Sequence, residues 1–198
     1  MDLGIKGKRA LVCASSKGLG LGCAEALAEA GVDLVMNART DGPLQEAAEA
    51  IRARYNVDVV AVAADITTED GRAKVLEAAG QVDILVTAVP AGAATHHIID
   101  AKILIAMKRS GHLINIARGD VVDETALIAA LEDGEIAGAG LDVYEFEPRV
   151  PAALIALQNV VLLPHLGTAA LEVRTAMGLM AADNLLAFDA GLPLPNAV

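Results

Sequence analysis

"RALVCASSKGLGLGCAEALAEAG", residues 9–31, is a short apolar run, a glycine-bearing turn and an apolar-periodic helix that stops at Gly31. That order is the first strand–helix step of an α/β protein. The same step recurs along the chain. "VDLVMN" (32–37) is a second strand, and "PLQEAAEAIRARY" (43–55) is a helix opened by Pro43. "VDVVAVAAD" (57–65) is a third strand, and "TTEDGRAKVLEAAG" (67–80) begins with Thr and acidic residues as a capped helix does. "VDILVTAV" (82–89) is the fourth strand. The second half adds the helix "DAKILIAMK" (100–108), the strand "GHLINIA" (111–117) and the helix "DETALIAALEDGE" (123–135). Strands "IAGAGLDV" (136–143) and "VVLLPH" (160–165) follow, and "AALEVRTAMGLMAADNLLAFDAG" (169–191) is a long closing helix. Strands this rich in Val, Ile and Leu are covered on both faces. The expectation is an α/β fold with a doubly wound parallel sheet of about seven strands in three αβα layers. Residues 1–198 are expected to form one domain.

Composition narrows the function. The chain has 198 residues, 55% of them hydrophobic, enough for one well-buried domain. Fifteen basic against 26 acidic residues give a net charge of −11, which argues against nucleic acid or an anionic membrane as the main partner. Aromatic residues are 2% of the chain, so stacking platforms for single strands are lacking. No apolar run approaches the roughly 20 residues needed to span a bilayer. The start, "MDLGIKGKRALVCASS", lacks a signal-peptide layout. With Cys13 and Cys23 the only cysteines, a reducing cytoplasm is the expected setting. Cysteine and histidine ligands at metal spacing are too few to argue for zinc.

The turn "ASSKGLGLG" (14–22) links the first strand to the first helix. Gly18 and Gly20 let the backbone approach a pyrophosphate, and the helix N-terminus offers N–H groups to it. Glycine turns also serve packing alone, but this one stands where a Rossmann dinucleotide-binding domain has its phosphate cradle. Ala14, Ser16, Lys17, Gly18, Leu19 and Gly20 are therefore candidate cofactor contacts. The second strand ends "VMNART", with Asn37 and Arg39 where an NAD-selective site carries an acidic residue for the ribose hydroxyl. Lys17 and Arg39 are either solvated surface charges or the partners of an additional phosphate. The second reading makes the expected cofactor NADP, with NADPH preferred over NADH.

On these residues, positions 1 to about 86 resemble the front of a short-chain dehydrogenase/reductase of the 3-oxoacyl-carrier-protein reductase type. "CASSKGLG" stands where that family has Thr-Gly-x-x-x-Gly-x-Gly, with Ala14 in place of the first glycine. "ADIT" (64–67) resembles the pair flanking the adenine, which implies that role for Asp65 and Ile66. After "DILV" the chain reads "TAVPAG" instead of Asn-Asn-Ala-Gly. Neither Tyr55 nor Tyr144 has a lysine four residues on, so the Tyr-x-x-x-Lys acid–base group of that family is missing.

From about residue 87 the chain resembles the coenzyme domain of the D-2-hydroxyacid dehydrogenases, the glyoxylate/hydroxypyruvate reductase group especially. The carrying stretches are "TAVPAGAATHHIIDAKILIAMKRSGHLINIARGDVVDETALIAALEDGEIAGAGLDVYEFEP" and "NVVLLPHLGTAALEVRTAMGLMAADNLLAF". Arg118 follows a strand, where a guanidinium can clamp a substrate carboxylate bidentately. His165 follows the last strand, where an imidazole can give or take a proton. Glu147 is placed to support an imidazole. Singly, each is also a surface ion pair, a cap or a loop charge. The resemblance implies that these are the family's catalytic Arg, Glu and His. It also implies that Asp142 and Ala117 lie beside the nicotinamide and that Pro90 lines the cofactor cleft. No metal ligand is expected.

Two resemblances in one chain lead to the expectation of a chimera with its seam near 84–90. That family carries a separate substrate domain ahead of its coenzyme domain, and only eight residues precede the first strand here. The leading expectation is thus an engineered or recombined scaffold with a composite NADP(H) site and little catalysis. An NADPH-dependent 2-hydroxyacid dehydrogenase using Arg118, Glu147 and His165 is the second. A non-enzymatic module that self-associates as a homodimer through its last helix is the third.

Overall fold

The computed structural model describes residues 2–197. The chain divides into two compact units, Met1–Pro164 and His165–Val198. In the first unit, β1 (Arg9–Cys13), β2 (Asp33–Ala38), β3 (Val59–Ala63) and β4 (Ile84–Thr87) alternate with α1 (Gly18–Glu29), α2 (Asp41–Arg54) and α3 (Glu69–Ala79). After β4 come α4 (Ala101–Ala106), β5 (His112–Asn115), α5 (Glu124–Glu132), β6 (Gly138–Leu141), α6 (Ala152–Ala156) and β7 (Val160–Leu162). The second unit contains α7 (Leu171–Asp189).

Among the described residues the seven strands form one parallel sheet in the order β3-β2-β1-β4-β5-β6-β7. This is the doubly wound arrangement expected, with the order reversing between β1 and β4. Leu11 is level with Val35 on β2 and with Leu85 on β4. Strand side chains alternate between faces. Ala10, Val12, Leu34 and Met36 pack with Ala24 and Ala28 of α1 and Leu44, Ala48 and Ile51 of α2. Leu11, Val35 and Leu85 join Val75 of α3, Leu104 of α4 and Leu127 of α5 on the other face. Both faces of the central strands are therefore dry, at about 1.5–3 kcal/mol per large apolar side chain removed from water.

Local chemistry sets the ends of the elements. Thr68 caps α3 by accepting from the Gly71 N–H (3.1 Å), and Asp123 caps α5 by accepting from the Ala126 N–H (2.9 Å). Asp100 does the same for α4 through the Ile103 N–H at 3.0 Å. The third strand is shorter than its apolar run because the Asp65 carbonyl turns away to accept from the Thr68 N–H. The sequence pattern predicts no helix at 152–156, where α6 is too short to show a period. Among the described residues no helix is long and apolar enough to cross a membrane.

The amino end of the sheet is clamped by Asp83, which is buried. Its carboxylate accepts from the Arg9 N–H (2.9 Å) and from Lys108 Nζ (2.8 Å), and Lys8 Nζ lies 3.6 Å away. The Arg9 guanidinium in turn donates to the Ala78 and Ala79 carbonyls at the end of α3. Burial works against the Asp83 charge, but the Lys108 and Arg9 hydrogen bonds and the two lysine charges outweigh it, and the carboxyl is held below its ordinary range. At the other end of β1, Ala14 adopts a left-handed backbone (φ 56), a region that an L side chain enters at a cost.

Asp83→Asn is expected to lower stability by about 2 kcal/mol at pH 7 in urea denaturation. A carboxyl depressed in the folded state stabilises above its unfolded pKa and loses that contribution as pH falls through the folded value. The difference should thus begin to shrink below about pH 4 and vanish only once pH has passed the lower folded value. Replacing Ala14 with Gly is expected to raise stability by about 0.5–1 kcal/mol, read by the same denaturation.

Candidate functional site

The carboxyl ends of β1, β2, β3 and β4 open onto a cleft of about 420 Å³. On the β1 side its wall is Ala14, Ser16 and Lys17. The turn is held by Ser15, which is fully buried and whose N–H (2.9 Å) and hydroxyl (3.3 Å) both donate to the Asn37 carbonyl. Lys17 is extended and precedes α1 without a side-chain cap, and the first turn of α1 holds no acidic residue. The N–H groups that a helix leaves unpaired at its start therefore have no side chain competing for them. Gly18 is left-handed (φ 60). A Cβ on Gly20 would fall on the Ala14 carbonyl, so α1 starts this close to β1 only because that residue is glycine. Gly18, exposed Leu19 and Gly20 stand beside the cleft and are outside its lining.

The β2 and β3 ends contribute Asn37, Arg39, Asp65 and Ile66. Asn37 is buried, and its amide donates to the Val62 and Ala64 carbonyls, each at 3.0 Å. Its amide hydrogens thus pin β2 to β3, leaving the oxygen as its only acceptor for anything else. Arg39 is exposed at the rim. Asp65 accepts from the Thr67 hydroxyl (2.7 Å) and N–H (3.0 Å). Those bonds first, and the Arg39 charge in addition, hold its carboxyl below the usual range. The rim thus presents two cations and one committed anion.

The loop after β4 forms the facing wall, with Pro90, Ala91 and Gly92 in the lining. Thr95 is buried and folds this loop on itself: its hydroxyl donates to the Pro90 (2.8 Å) and Gly92 (3.1 Å) carbonyls. Nothing in the sequence analysis singles out Thr95, although a Thr two or three residues past a Pro/Gly turn carries such bonds often.

A second group stands at the ends of β5 and β6. Asn115 shapes the corner there: its Oδ1 accepts from the Ala117 N–H and its Nδ2 donates to the Arg118 carbonyl, both at 3.0 Å. Ala117 is buried, and Arg118 is exposed on an extended backbone. Asp142 is buried, with its N–H on the Asn115 carbonyl (3.0 Å). Glu147 accepts the Tyr144 N–H at 3.0 Å. The Tyr144 hydroxyl donates to the Leu163 carbonyl (2.9 Å) and so ties the loop after β6 to the end of β7. A Cβ on Gly119 would collide with the Tyr144 backbone, so the loops bearing Arg118 and Glu147 touch through that glycine. His165, exposed and left-handed (φ 55), opens the second unit. Asn115 and Tyr144, which position this group, are absent from the sequence-derived candidates because neither carries the chemistry itself.

A family model for the D-isomer specific 2-hydroxyacid dehydrogenase NAD-binding domain matches residues 42–167. The chain is 48% identical over 124 residues to a hydroxyphenylpyruvate reductase of Plectranthus scutellarioides, covering 63% of this chain and 40% of that protein. It is 54% identical over 117 residues to glyoxylate/hydroxypyruvate reductase B of Erwinia tasmaniensis, covering 59% of this chain and 36% of that protein. It is also similar to the structure of an NADPH-dependent glyoxylate/hydroxypyruvate reductase from Sinorhizobium meliloti in complex with NADP and malonate. The TM-score is 0.78 at 34% identity, over 98% of this chain and 54% of that one. The chain spans less than half the length of these curated relatives.

These similarities overturn the expected chimera. The family match begins at residue 42 and runs unbroken through the expected seam, and the structural match covers the front as well as the back. The short-chain reductase resemblance rested on a glycine turn, a basic strand end and "ADIT", short local features that Rossmann domains of different families share. The reading as an engineered, largely inactive scaffold falls with it, since the matched relatives are reductases. The cofactor class is a nicotinamide dinucleotide, as the family description states. One family accounts for both halves: this chain belongs to the D-isomer specific 2-hydroxyacid dehydrogenases, as their NAD-binding domain.

Proposed function

We propose that this chain is the coenzyme-binding part of an NADPH-dependent reductase of small 2-oxo acids, of the glyoxylate/hydroxypyruvate type. The observation that carries the cofactor choice is the cleft rim: Lys17 and Arg39 flank it, and β2 ends without an acidic residue. A carboxylate there would accept from a ribose 2′-hydroxyl and repel a 2′-phosphate, whereas two cations favour the phosphate. The uncapped start of α1 and the space kept by Gly20 fit a pyrophosphate. The Sinorhizobium structure, solved with NADP, supports the same choice for this chain.

When bound, the nicotinamide ring supplies the hydride that reduces a carbonyl. The protein's own groups bind and orient the acid and move the proton. Arg118, on a corner built by Asn115, binds the carboxylate of the 2-oxo acid and draws charge from its carbonyl. The resemblance assigns His165 as the proton donor and Glu147 as the family's catalytic carboxylate. Ala117 and Asp142 flank the nicotinamide side, and Pro90 with its loop covers the opposite wall.

Fluorescence titration is expected to give tighter binding of NADPH than of NADH. Lys17→Ala and Arg39→Ala should each weaken NADPH by about tenfold and leave NADH nearly unchanged. Tighter NADH binding would overturn the cofactor assignment. Glyoxylate- or hydroxypyruvate-dependent NADPH oxidation is expected, with kcat reduced by roughly 10²–10⁴ in His165→Ala. In Arg118→Ala, KM for the acid should rise. Turnover unaffected by either substitution would remove these residues from the mechanism.

A further inference from the structure

The loop after β4 meets the loop after β6 at His96, His97 and Glu145. His97 Nε2 lies 3.0 Å from Glu145 Oε1, and one ligand atom from each of the three residues lies within 4.8 Å of the other two. His97 is left-handed (φ 50), an uncommon conformation for a residue with a side chain. In an extended chain, successive side chains point to opposite sides. Here the two imidazoles stack on one side, with ring centroids 3.8 Å apart and planes inclined by 28°. The loop is held in that shape from behind: the His97 N–H donates to the Asp120 carbonyl at 2.8 Å, and Ile99 bridges to Val122.

The electrostatics favour a cation. Glu124, buried at the start of α5, accepts the Glu145 N–H at 2.9 Å and brings a second carboxylate to the cluster. A divalent ion there would lie beside two acidic residues, in a chain whose net charge is −11. Two imidazoles and one carboxylate are also the donor set of open zinc sites, where water takes the fourth position.

We propose that His96, His97 and Glu145 form a binding site for a divalent transition-metal ion of the zinc class. The ion is held by one nitrogen of each imidazole and one Glu145 oxygen, with water completing the tetrahedron. It takes the place of the hydrogen between His97 Nε2 and Glu145, and the neutral imidazole carries its hydrogen on Nδ1 instead. Exposed His96 turns about its side-chain torsions to aim its lone pair. Occupancy joins the loop that carries Pro90 and Thr95 to the segment that carries Glu147. Spacing in the sequence is silent on this site because Glu145 lies 48 residues beyond His97.

Zn²⁺ titrated into the full chain by calorimetry, with Co²⁺ followed by visible absorption, tests the site. The expected result is one equivalent bound and a tetrahedral Co²⁺ spectrum. His96→Ala and Glu145→Gln should each weaken Zn²⁺ by about tenfold or more. His112→Ala, an exposed strand histidine outside the cluster, should leave it unchanged. Circular dichroism checks the fold of each variant, and His96→Ala decides alone if Glu145→Gln unfolds, since His96 is exposed. No uptake at millimolar Zn²⁺, or uptake undiminished in His96→Ala, would overturn the proposal.

Discussion

Between β1 and β4, two parallel strands hydrogen-bond side by side while the chain leaves them toward opposite faces of the sheet. The connection from β1 runs into α1, which packs on the face of Ala10 and Val12. The one from β4 runs to α4, on the face of Leu11 and Leu85. Right-handed crossovers allow no other outcome once the strand order reverses there. Backbone cannot fill the gap between two connections that diverge, and the cleft is that gap. The uncapped start of α1 and the Thr95-pinned loop face each other because their strands are neighbours, not because their sequences are.

Rigidity and chemistry are divided between the two ends of the sheet. Asp83, with Lys108, Lys8 and Arg9, locks the amino ends of β1 and β4 around a buried charge. The carboxyl ends carry the strained or committed groups: left-handed Ala14 and His97, and Asp65 tied to Thr67. In a chain with an excess of acidic residues, the fold brings two cations, Lys17 and Arg39, to one rim. Asn115 and Tyr144 serve the same end at β5 and β6 by holding backbone corners, so that Arg118 and Glu147 project from fixed loops.

Much of the fold was legible because its signals are local. Apolar runs separated by periodic helices give the strand count and the layer order directly. Candidates at strand ends were legible for a related reason, since in parallel sheets ligand chemistry gathers there. The front half misled because its features belong to the fold and not to one family. A glycine turn after β1 and the short motifs at the next strand ends recur in unrelated dehydrogenases that share this fold. Asn37 illustrates a finer limit: it stands at the expected position, yet its amide is spent on β3 carbonyls.

By itself the sequence determined the doubly wound sheet, the glycine turn at its first strand–helix step and the residue types available for chemistry. These follow from hydrophobic period, glycine placement and charge, all readable within one or two elements. Only the tertiary structure decided which of those residues meet. Thr95 against Pro90, Gly119 against Tyr144 and His97 against Glu145 are contacts between loops far apart in the chain. Their geometry is set by how neighbouring strands end, a property of the assembled sheet that no short stretch of sequence contains.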